Sequence, residues 1–163
     1  MDEFISAENF INYAVDTYSD TVYRIALNIT QNPHDSFDIS QEVFIRLLKN
    51  YEKIKDKEHL KAWLVRVTVN CSRTFMRSKS SRQIISFDEI KESDLLCTHD
   101  ENFEITKLVW QLPEKYRVVI YLFYYEEMKI SKIAQALGIS QSAVKLRLSR
   151  GREKLKILIE KES

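Results

Sequence analysis

The stretch Lys129–Lys156, KISKIAQALGISQSAVKLRLSRGREKLK, reads as two short helices joined by a tight turn. Apolar residues recur at helical spacing in both halves, Ile133 and Leu137 in the first and Val144 and Leu148 in the second. Each half therefore has one apolar face for a core and one polar face for solvent or a partner.

The turn between the two halves carries two residues with specific backbone roles. Gly138 can take the left-handed conformation that ends a helix, and Ser140 is a favoured N-cap for the next one. Together with the apolar spacing they predict a helix-turn-helix, whose second helix enters the major groove of DNA. The alternative is an ordinary amphipathic hairpin with a solvated basic face, which does not account for the glycine, the cap and the spacing occurring together.

If Val144 and Leu148 face inward, the opposite side of the second helix is polar and basic. The side chains that can bond to base edges are Gln141, Ser142, Lys145 and Ser149. The side chains that can hold phosphates beside them are Arg147, Arg150, Arg152 and Lys154.

Composition and charge layout favour a helical, nucleic-acid-binding protein. The chain has 163 residues, 44% hydrophobic and 30% charged, and only two glycines and two prolines, which favours long helices over a turn-rich sheet. The formal net charge is +1, but it is unevenly distributed. Every charge from Leu60 to Arg82 is positive, residues 84–104 are acidic except for Lys91, and the chain is basic again from Lys129. Two basic blocks predict two nucleic-acid contact surfaces.

Catalytic, metal and membrane signatures are missing from the sequence. Cys71 and Cys97 have no CxxC partner, and His34, His59 and His99 are scattered. With no nucleophile elbow or phosphate loop, we expect no enzyme activity, no cofactor and no metal site. No apolar run is long enough to span a membrane and no signal peptide is recognisable, so we expect no membrane insertion and a cytoplasmic protein.

The fold class predicted is all-α, with two small helical domains joined by a flexible linker. The predicted domains are residues 1–80 and 103–163, and the acidic, serine-containing stretch 81–102 is the linker. The apolar periodicity is already weak from Ser78 onward, so the linker is expected to begin near that residue. The sequence leaves open whether residues 84–87 form a short strand or helix.

Apolar spacing predicts the helices themselves over residues 4–30, 35–50, 60–76, 103–112 and 114–124. Asp35 or Ser36 is expected to cap the second helix. The side chains that this helix is expected to turn inward are Phe37, Val43, Phe44, Leu47 and Leu48. Trp63 and Cys71 are expected to be core residues of the third helix.

Four blocks, in order, resemble a known family. Residues 32–44 (NPHDSFDISQEVF) resemble the DAEDLVQEVF helix of bacterial sigma factors, and residues 61–70 (KAWLVRVTVN) their fraWLlrIarN segment. Residues 112–117 (LPEKYR) resemble their LPekyR entry to the second domain, and residues 140–151 (SQSAVKLRLSRG) their S.gtVksRL.Ra recognition helix. The two-domain size is similar to that of the extracytoplasmic-function (ECF) group of the sigma-70 family.

The resemblance implies that the first domain, a sigma region 2 bundle, contacts both core RNA polymerase and the −10 promoter element. The residues implied for docking on the clamp helices of the polymerase's largest subunit are Asp35, Asp38, Gln41 and Glu42; the alternative is a solvated polar face. The residues implied for −10 DNA are Arg66, Asn70, Arg73, Arg77 and Lys79. The loop 54–60 would wall a pocket for a flipped-out base.

The second domain, a sigma region 4 helix-turn-helix, would read the −35 element and meet the flap region of the polymerase. The residues implied for −35 DNA are Gln141, Ser142, Lys145, Arg147, Ser149 and Arg150. The family also implies an anti-sigma factor as a partner, and an acidic linker that either mimics DNA or is merely solvated. A stand-alone helix-turn-helix transcriptional regulator is the alternative function.

The sequence departs from the family pattern at several positions that bear on polymerase and promoter contacts. Phe37 stands where an acid is usual, Glu127 where a glycine is common and Lys129 where a serine often caps. Leu146 replaces a small polar residue, and it either contacts a thymine methyl or packs at the groove edge. These changes bear on promoter sequence rather than on the family.

Overall fold

The computed structural model describes residues 6–82 and 103–162, with side chains over 6–80 and 105–162. These two ranges lie in separate compact units. Neither range contains a β-strand. The all-α prediction is confirmed for this part of the chain.

Over residues 6–82 the first unit consists of three helices, and each packs against the other two. They are α1 (Ala7–Thr30), α2 (Pro33–Asn50) and α3 (Lys57–Arg82), with a 3₁₀ turn at Tyr51–Lys53 between the last two. The core side chains include Phe10, Ala14, Val22, Ile39, Val43, Leu47, Leu60, Leu64 and Cys71. Trp63 packs against this core and is half-buried, as predicted. Burial raises the pKa of the Cys71 thiol, which keeps this core residue neutral.

The start of α2 differs from the sequence prediction. Asn32 is the N-cap, because its side-chain oxygen accepts from the backbone N–H of Asp35 at 3.0 Å. Pro33 then occupies the first helical position, where its missing N–H costs nothing. The prediction that Asp35 or Ser36 caps this helix was wrong, because Pro33 begins the helix rather than preceding it.

The third helix is longer at both ends than the spacing predicted. Asp56 accepts from the backbone N–H of His59 at 2.8 Å, so α3 begins at Lys57 rather than at residue 60. Beyond residue 76 no glycine or proline stops it, and it runs to Arg82. The expectation that the linker begins near Ser78 was therefore wrong. Residues 83–102, which include the 84–87 segment and Cys97, lie outside the described part.

Two apolar side chains of α2 point the other way from the prediction. Phe37 is 56% exposed and Leu48 is 52% exposed, whereas Val43 and Leu47 are buried and Phe44 is half-buried. The expectation that Phe37 and Leu48 face inward was wrong, because α2 has a second apolar row on the side away from the core.

In the second unit, a long C-terminal helix packs against three short ones. The elements are α4 (Phe103–Trp110), α5 (Glu114–Ile120), α6 (Ile130–Leu137) and α7 (Gln141–Glu162). A π-helical turn at Tyr121–Tyr125 extends α5, so the helix predicted over 114–124 is present with a wider last turn. Helix α7 contacts α4, α5 and α6, and it holds the unit together.

The crossing of α5 and α7 depends on Gly151. A Cβ atom at this position would lie 2.7 Å from Ile120 Cδ1 and 3.3 Å from Tyr116 Cβ. A Cβ atom here would have to displace the end of the Ile120 side chain, so glycine lets the two helices meet at this distance without that shift. Gly151 is thus a packing residue and not a flexible one.

A buried cation, Arg117, bonds to the backbone of the turn between α4 and α5. Arg117 is 5% exposed, its Nη1 donates to the carbonyl of Leu112 at 2.6 Å, and its guanidinium lies 5.9 Å from the Trp110 ring centre. Burial lowers the pKa of Arg117 to about 10, which leaves it charged at neutral pH. The Leu112 carbonyl and the Trp110 ring therefore stabilise the buried charge of Arg117, which lies near the C-terminus of α4.

Among the residues described, no helix is long and apolar enough to cross a membrane. No cluster of three or more His, Cys, Asp or Glu side chains suited to a metal ion occurs there either.

Candidate nucleic-acid and polymerase interfaces

The turn of the helix-turn-helix has the geometry that the sequence predicted. Gly138 takes φ +67°, in the left-handed region, and its N–H donates to the carbonyl of Ala134. Ser140 accepts from the backbone N–H of Ala143 at 3.0 Å, which caps α7. The glycine ends one helix and the serine begins the next, so the entry angle of α7 is fixed by local bonds.

The inward and outward faces of α7 are also as predicted. Val144 is fully buried and Leu148 is 2% exposed. The predicted DNA-facing residues that are exposed are Gln141, Ser142, Lys145, Ser149 and Arg150, while Arg147 is half-buried. Leu146 is 49% exposed and lies between Ser142 and Arg150 in angular position around the helix. The outward face of α7 thus combines hydrogen-bonding groups, cations and one apolar side chain, the mixture that reads a major groove.

Two further cations of α7 have partners within the protein. Arg152 Nε donates to Tyr124 Oη at 2.6 Å, and its guanidinium lies 5.4 Å from the Tyr124 ring centre. Lys154 Nζ lies 5.7 Å from the Tyr116 ring centre. Both had been expected to flank the DNA face, and these contacts direct them toward the aromatic side chains instead.

A one-sided polar row runs along α3. Its members are Arg66, Asn70, Arg73 and Arg77, at intervals of four, three and four residues, so all four share one face of the helix. Arg66, Asn70 and Arg77 are exposed and Arg73 is half-buried. Three guanidinium groups with an amide between them match a strand of phosphates and one base edge.

Lys79 does not belong to this row. It lies nine residues after Asn70, which is about half a turn away around the helix. Its Nζ is 2.7 Å from Asp35 Oδ2, and the two side chains are 30% and 15% exposed. One residue predicted for −10 DNA and one predicted for polymerase docking thus form a half-buried ion pair.

The loop before α3 is anchored at both ends by buried apolar side chains. Ile54 is 3% exposed and Leu60 is fully buried. Between them the backbone N–H of Lys55 donates to His59 Nδ1 at 3.0 Å. The prediction of a loop over 54–60 was wrong for residues 57–60, which form the first turn of α3. The segment expected to wall a base pocket is therefore a short loop, residues 54–56, followed by that helical turn.

The exposed face of α2 is apolar along its centre and acidic along one edge. Phe37, Ile45 and Leu48 are 56%, 47% and 52% exposed and, with Gln41, recur at helical spacing. We call these four residues the α2 stripe. Asp38 and Glu42 are exposed beside it, and Glu42 pairs with Arg46 at 3.0 Å. The α2 stripe was not predicted from the sequence, although the spacing of residues 37, 41, 45 and 48 is that of one helix face.

Comparisons with known proteins agree with this geometry. Residues 14–82 match the family model "Sigma-70 region 2", and residues 102–155 match "Sigma-70, region 4". The chain is 30% identical over 159 residues to the ECF RNA polymerase sigma factor SigW of Bacillus subtilis (strain 168), covering 87% of this chain and 84% of that one. It is 27% identical to the RNA polymerase sigma factor SigV of the same organism, covering 86% and 85%. The chain belongs to the ECF sigma factors of the sigma-70 family.

Solved structures share the fold. The sigma factor RpoE of Bartonella quintana, solved with the anti-sigma factor NepR, matches with a TM-score of 0.72 at 17% identity, over 91% of this chain and 96% of that one. CnrH, solved with the cytosolic domain of CnrY, matches with a TM-score of 0.70 at 22% identity, over 94% and 89%.

Family membership disfavours the stand-alone helix-turn-helix regulator as the alternative function. Such a regulator has no need of a region 2 bundle, yet residues 14–82 match one. The second domain of this sigma factor adds one feature that the sequence did not predict.

That feature is an apolar groove of about 340 Å³ in the region 4 unit. Its lining residues are Ile105, Val109, Ile120, Tyr124, Tyr125, Arg152 and Leu155. Ile105 and Tyr124 are 41% and 51% exposed, so the groove is open to a partner. Leu155 lies on the same face of α7 as Val144 and Leu148, so the groove lies opposite the face that is predicted to contact DNA.

Proposed function

We propose that the protein binds core RNA polymerase, carries it to a promoter through −35 and −10 contacts, and opens the DNA at the −10 element. The observation that carries this proposal is the one-sided row of Arg66, Asn70, Arg73 and Arg77 on a region 2 bundle, in one chain with a capped region 4 helix-turn-helix. The two basic surfaces give the chain two DNA contacts, as its charge layout suggests.

In the first unit we assign −10 binding to that row. The three arginines would track the phosphates of a separated strand, and Asn70 would bond to a base edge. The loop 54–56 and the first turn of α3, residues 57–60, would form one wall of a pocket for an unstacked base. Unstacking costs a few kcal/mol, which stacking and phosphate contacts can offset without covalent chemistry.

Polymerase docking in the first unit is assigned to the α2 stripe with Asp38 and Glu42 beside it. Exposed apolar side chains rimmed by charge are typical of a protein–protein interface, whereas a solvated polar face needs no such row. The partner would be the clamp helices of the polymerase's largest subunit. Asp35 is left out of this surface because it is 15% exposed and bonded to Lys79.

In the second unit we assign base contacts in the −35 duplex to Gln141, Ser142, Lys145 and Ser149. Arg147 and Arg150 would hold phosphates, and Leu146 would contact a thymine methyl. The apolar groove is assigned to the flap region of the polymerase, since it opens away from the DNA face and both surfaces can be occupied together.

The remaining parts of the proposal follow from these partners. A factor that works through binding energy alone is no enzyme and needs no cofactor or metal. It would act in the cytoplasm with the polymerase. An anti-sigma factor covering the two units would hold it inactive, a partner suggested by the complex of the Bartonella quintana sigma factor RpoE with the anti-sigma factor NepR. The domains proposed are residues 1–82 and 103–163, with the acidic stretch between them as the linker.

The test is run-off transcription by purified bacterial core RNA polymerase on a library of genomic fragments, with and without the protein. We expect new, discrete start sites, each preceded by the same pair of sequence elements. A protein that neither binds core polymerase nor adds a start site would contradict the proposal, and its helix-turn-helix would then be tested for duplex binding alone.

A further inference from the structure

The ion pair between Asp35 and Lys79 joins the N-terminal end of α2 to the C-terminal end of α3. Asp35 lies in the first turn of α2 and Lys79 in the last turn of α3. Each charge suits its helix end, because the N-terminus of a helix is electropositive and the C-terminus electronegative. The atoms are 2.7 Å apart and the side chains mostly covered, so solvent screens this pair less than a surface one.

The acidic partner is itself held by a network at the corner between α1 and α2. Thr30 Oγ1 and Ser36 Oγ lie 2.8 Å apart, and Ser36 Oγ donates to the carbonyl of Asn32 at 2.7 Å. Asn32 in turn accepts from the backbone N–H of Asp35 at 3.0 Å. Ser36 is fully buried and Thr30 is 7% exposed, so the corner is a fixed point. Lys79 is therefore paired with an acid, Asp35, whose position is fixed by this hydrogen-bond network.

We propose that Asp35 and Lys79 are positioning residues, which tie the last turns of α3 to this corner and so set the direction of Arg73 and Arg77 toward the separated −10 strand. Lys79 is two residues from Arg77 and on the other side of the helix. Holding Lys79 prevents the end of α3 from fraying or rotating, and it keeps the cations of the polar row in line. This inference rests on the proposed −10 role of α3.

The first experiment measures promoter opening by holoenzyme assembled from the full chain, as permanganate reactivity of the −10 thymines. We expect Asp35→Asn and Lys79→Gln each to lower opening roughly three- to tenfold, which lies within the range that couplings between paired residues give. Both should leave the affinity for core polymerase unchanged, because the α2 stripe is intact. The charge-swapped variant Asp35→Lys/Lys79→Asp should open better than its own single variants Asp35→Lys and Lys79→Asp, each of which leaves two like charges facing each other, although both swapped charges then oppose their helix ends. Lys49→Gln, an exposed lysine of α2, is the matched control and should open like wild type.

The second experiment separates positioning from direct phosphate binding. It follows the affinity of the holoenzyme for a single-stranded −10 oligonucleotide as salt is raised. Arg77→Gln should reduce the slope of log K against log salt by about 0.7, the value for one phosphate on a single strand. Lys79→Gln should weaken binding yet leave the slope as in wild type.

Three outcomes would overturn the inference. They are wild-type opening by Asp35→Asn, a slope loss in Lys79→Gln equal to that in Arg77→Gln, and a swapped variant no better than Asp35→Lys or Lys79→Asp alone. Failure of the proposed function looks different, since wild-type holoenzyme would then open no promoter at all.

Discussion

Glu127 stands in a backbone conformation that suits glycine. Its φ is +54°, in the left-handed region, and the family pattern commonly has glycine there. This conformation costs an L-residue about 1–2 kcal/mol, whereas glycine adopts it freely but loses more entropy on folding. We expect Glu127→Gly to raise the free energy of unfolding of the region 4 unit by up to about 1 kcal/mol. Urea denaturation of the full chain would measure it.

The control for that substitution is Glu127→Ala, which removes the same carboxylate but keeps a Cβ atom. It should give no stabilisation, because the left-handed strain remains. Equal effects of glycine and alanine would mean that the carboxylate, and not the backbone, determines stability at this position.

Gly151 gives the second prediction at the scale of single residues. Alanine there would place its Cβ 2.7 Å from Ile120 Cδ1, and Ile120 is only 3% exposed. Overpacking of this kind costs about 1–3 kcal/mol, which exceeds the helix propensity gained by about 1 kcal/mol or less. We therefore expect Gly151→Ala to lower the free energy of unfolding by up to about 2 kcal/mol, measured by urea denaturation.

A double-mutant cycle identifies the cause of that loss. Ile120→Val removes the atom that the new methyl group meets, so the double variant should be more stable than the sum of the two single losses predicts. Strict additivity would count against a clash at Ile120 and point instead to Tyr116 Cβ, which lies 3.3 Å from the new methyl group.

Helix α7 carries a prediction about specificity. Lys145 and Arg150 are both exposed, but Lys145 lies on the side of Gln141 and Arg150 toward the half-buried Arg147. If Lys145 reads a base edge, Lys145→Ala should weaken binding to a cognate −35 duplex by about 1–3 kcal/mol and to a scrambled duplex by much less. Arg150→Ala should weaken both duplexes alike and reduce the salt slope by about 1.

The measurement is fluorescence anisotropy of labelled duplexes at two or more salt concentrations, with Lys156→Ala as an exposed control on a later turn of the same helix. Equal losses on cognate and scrambled duplexes for Lys145→Ala would remove Lys145 from the base-reading set. A sequence-dependent loss for Arg150→Ala would add Arg150 to it.

The same helix shows how much could be predicted from sequence. Gly138, Ser140 and the buried Val144 and Leu148 act through local bonds and a simple period of apolar residues, and all four were predicted correctly. The outward face of α7, which is predicted to contact DNA, follows from them, because it is the side of the helix that is not buried.

Helix α2 shows where prediction from sequence ends. Leu47 and Leu48 are adjacent and equally apolar, yet one is fully buried and the other is 52% exposed. Periodicity alone cannot show which of two apolar rows on one helix is buried, since burial depends on where α1 and α3 pack. The length of α3 was missed for a different reason, because its signals are local: Asp56 bonds to the backbone N–H of His59 at its start, and no glycine or proline lies between residue 76 and Arg82. The Asp35–Lys79 pair could not be predicted, since it spans 44 residues of sequence. The groove in the region 4 unit likewise needs three elements to be brought together.

Across the whole molecule, polymerase binding and strand opening are assigned to different faces of the region 2 bundle. The α2 stripe lies on one helix and the polar row on another, with the shared core between them. Substitutions on the two faces should therefore separate the two activities, which a single combined surface would not allow.

Leu48→Gln and Asn70→Ala test this separation. Both positions are exposed, and glutamine matches leucine in helix propensity, so neither change should alter stability by more than about 0.5 kcal/mol. Leu48→Gln should lower the affinity for core polymerase about tenfold, the effect of losing one well-buried apolar contact, yet allow normal opening at saturating protein. Asn70→Ala should bind polymerase like wild type and show weak permanganate reactivity at the −10 thymines.

The matched control for Leu48→Gln is Val15→Gln, which removes a 36% exposed apolar side chain from α1, outside the stripe. It should affect neither activity. If Leu48→Gln binds core polymerase as well as Val15→Gln does, the α2 stripe is not the docking surface. If Asn70→Ala opens promoters normally, the amide of Asn70 does not hold a base. Loss of both activities in either variant would mean that the two faces act as one surface, since binding and opening would then depend on the same contacts.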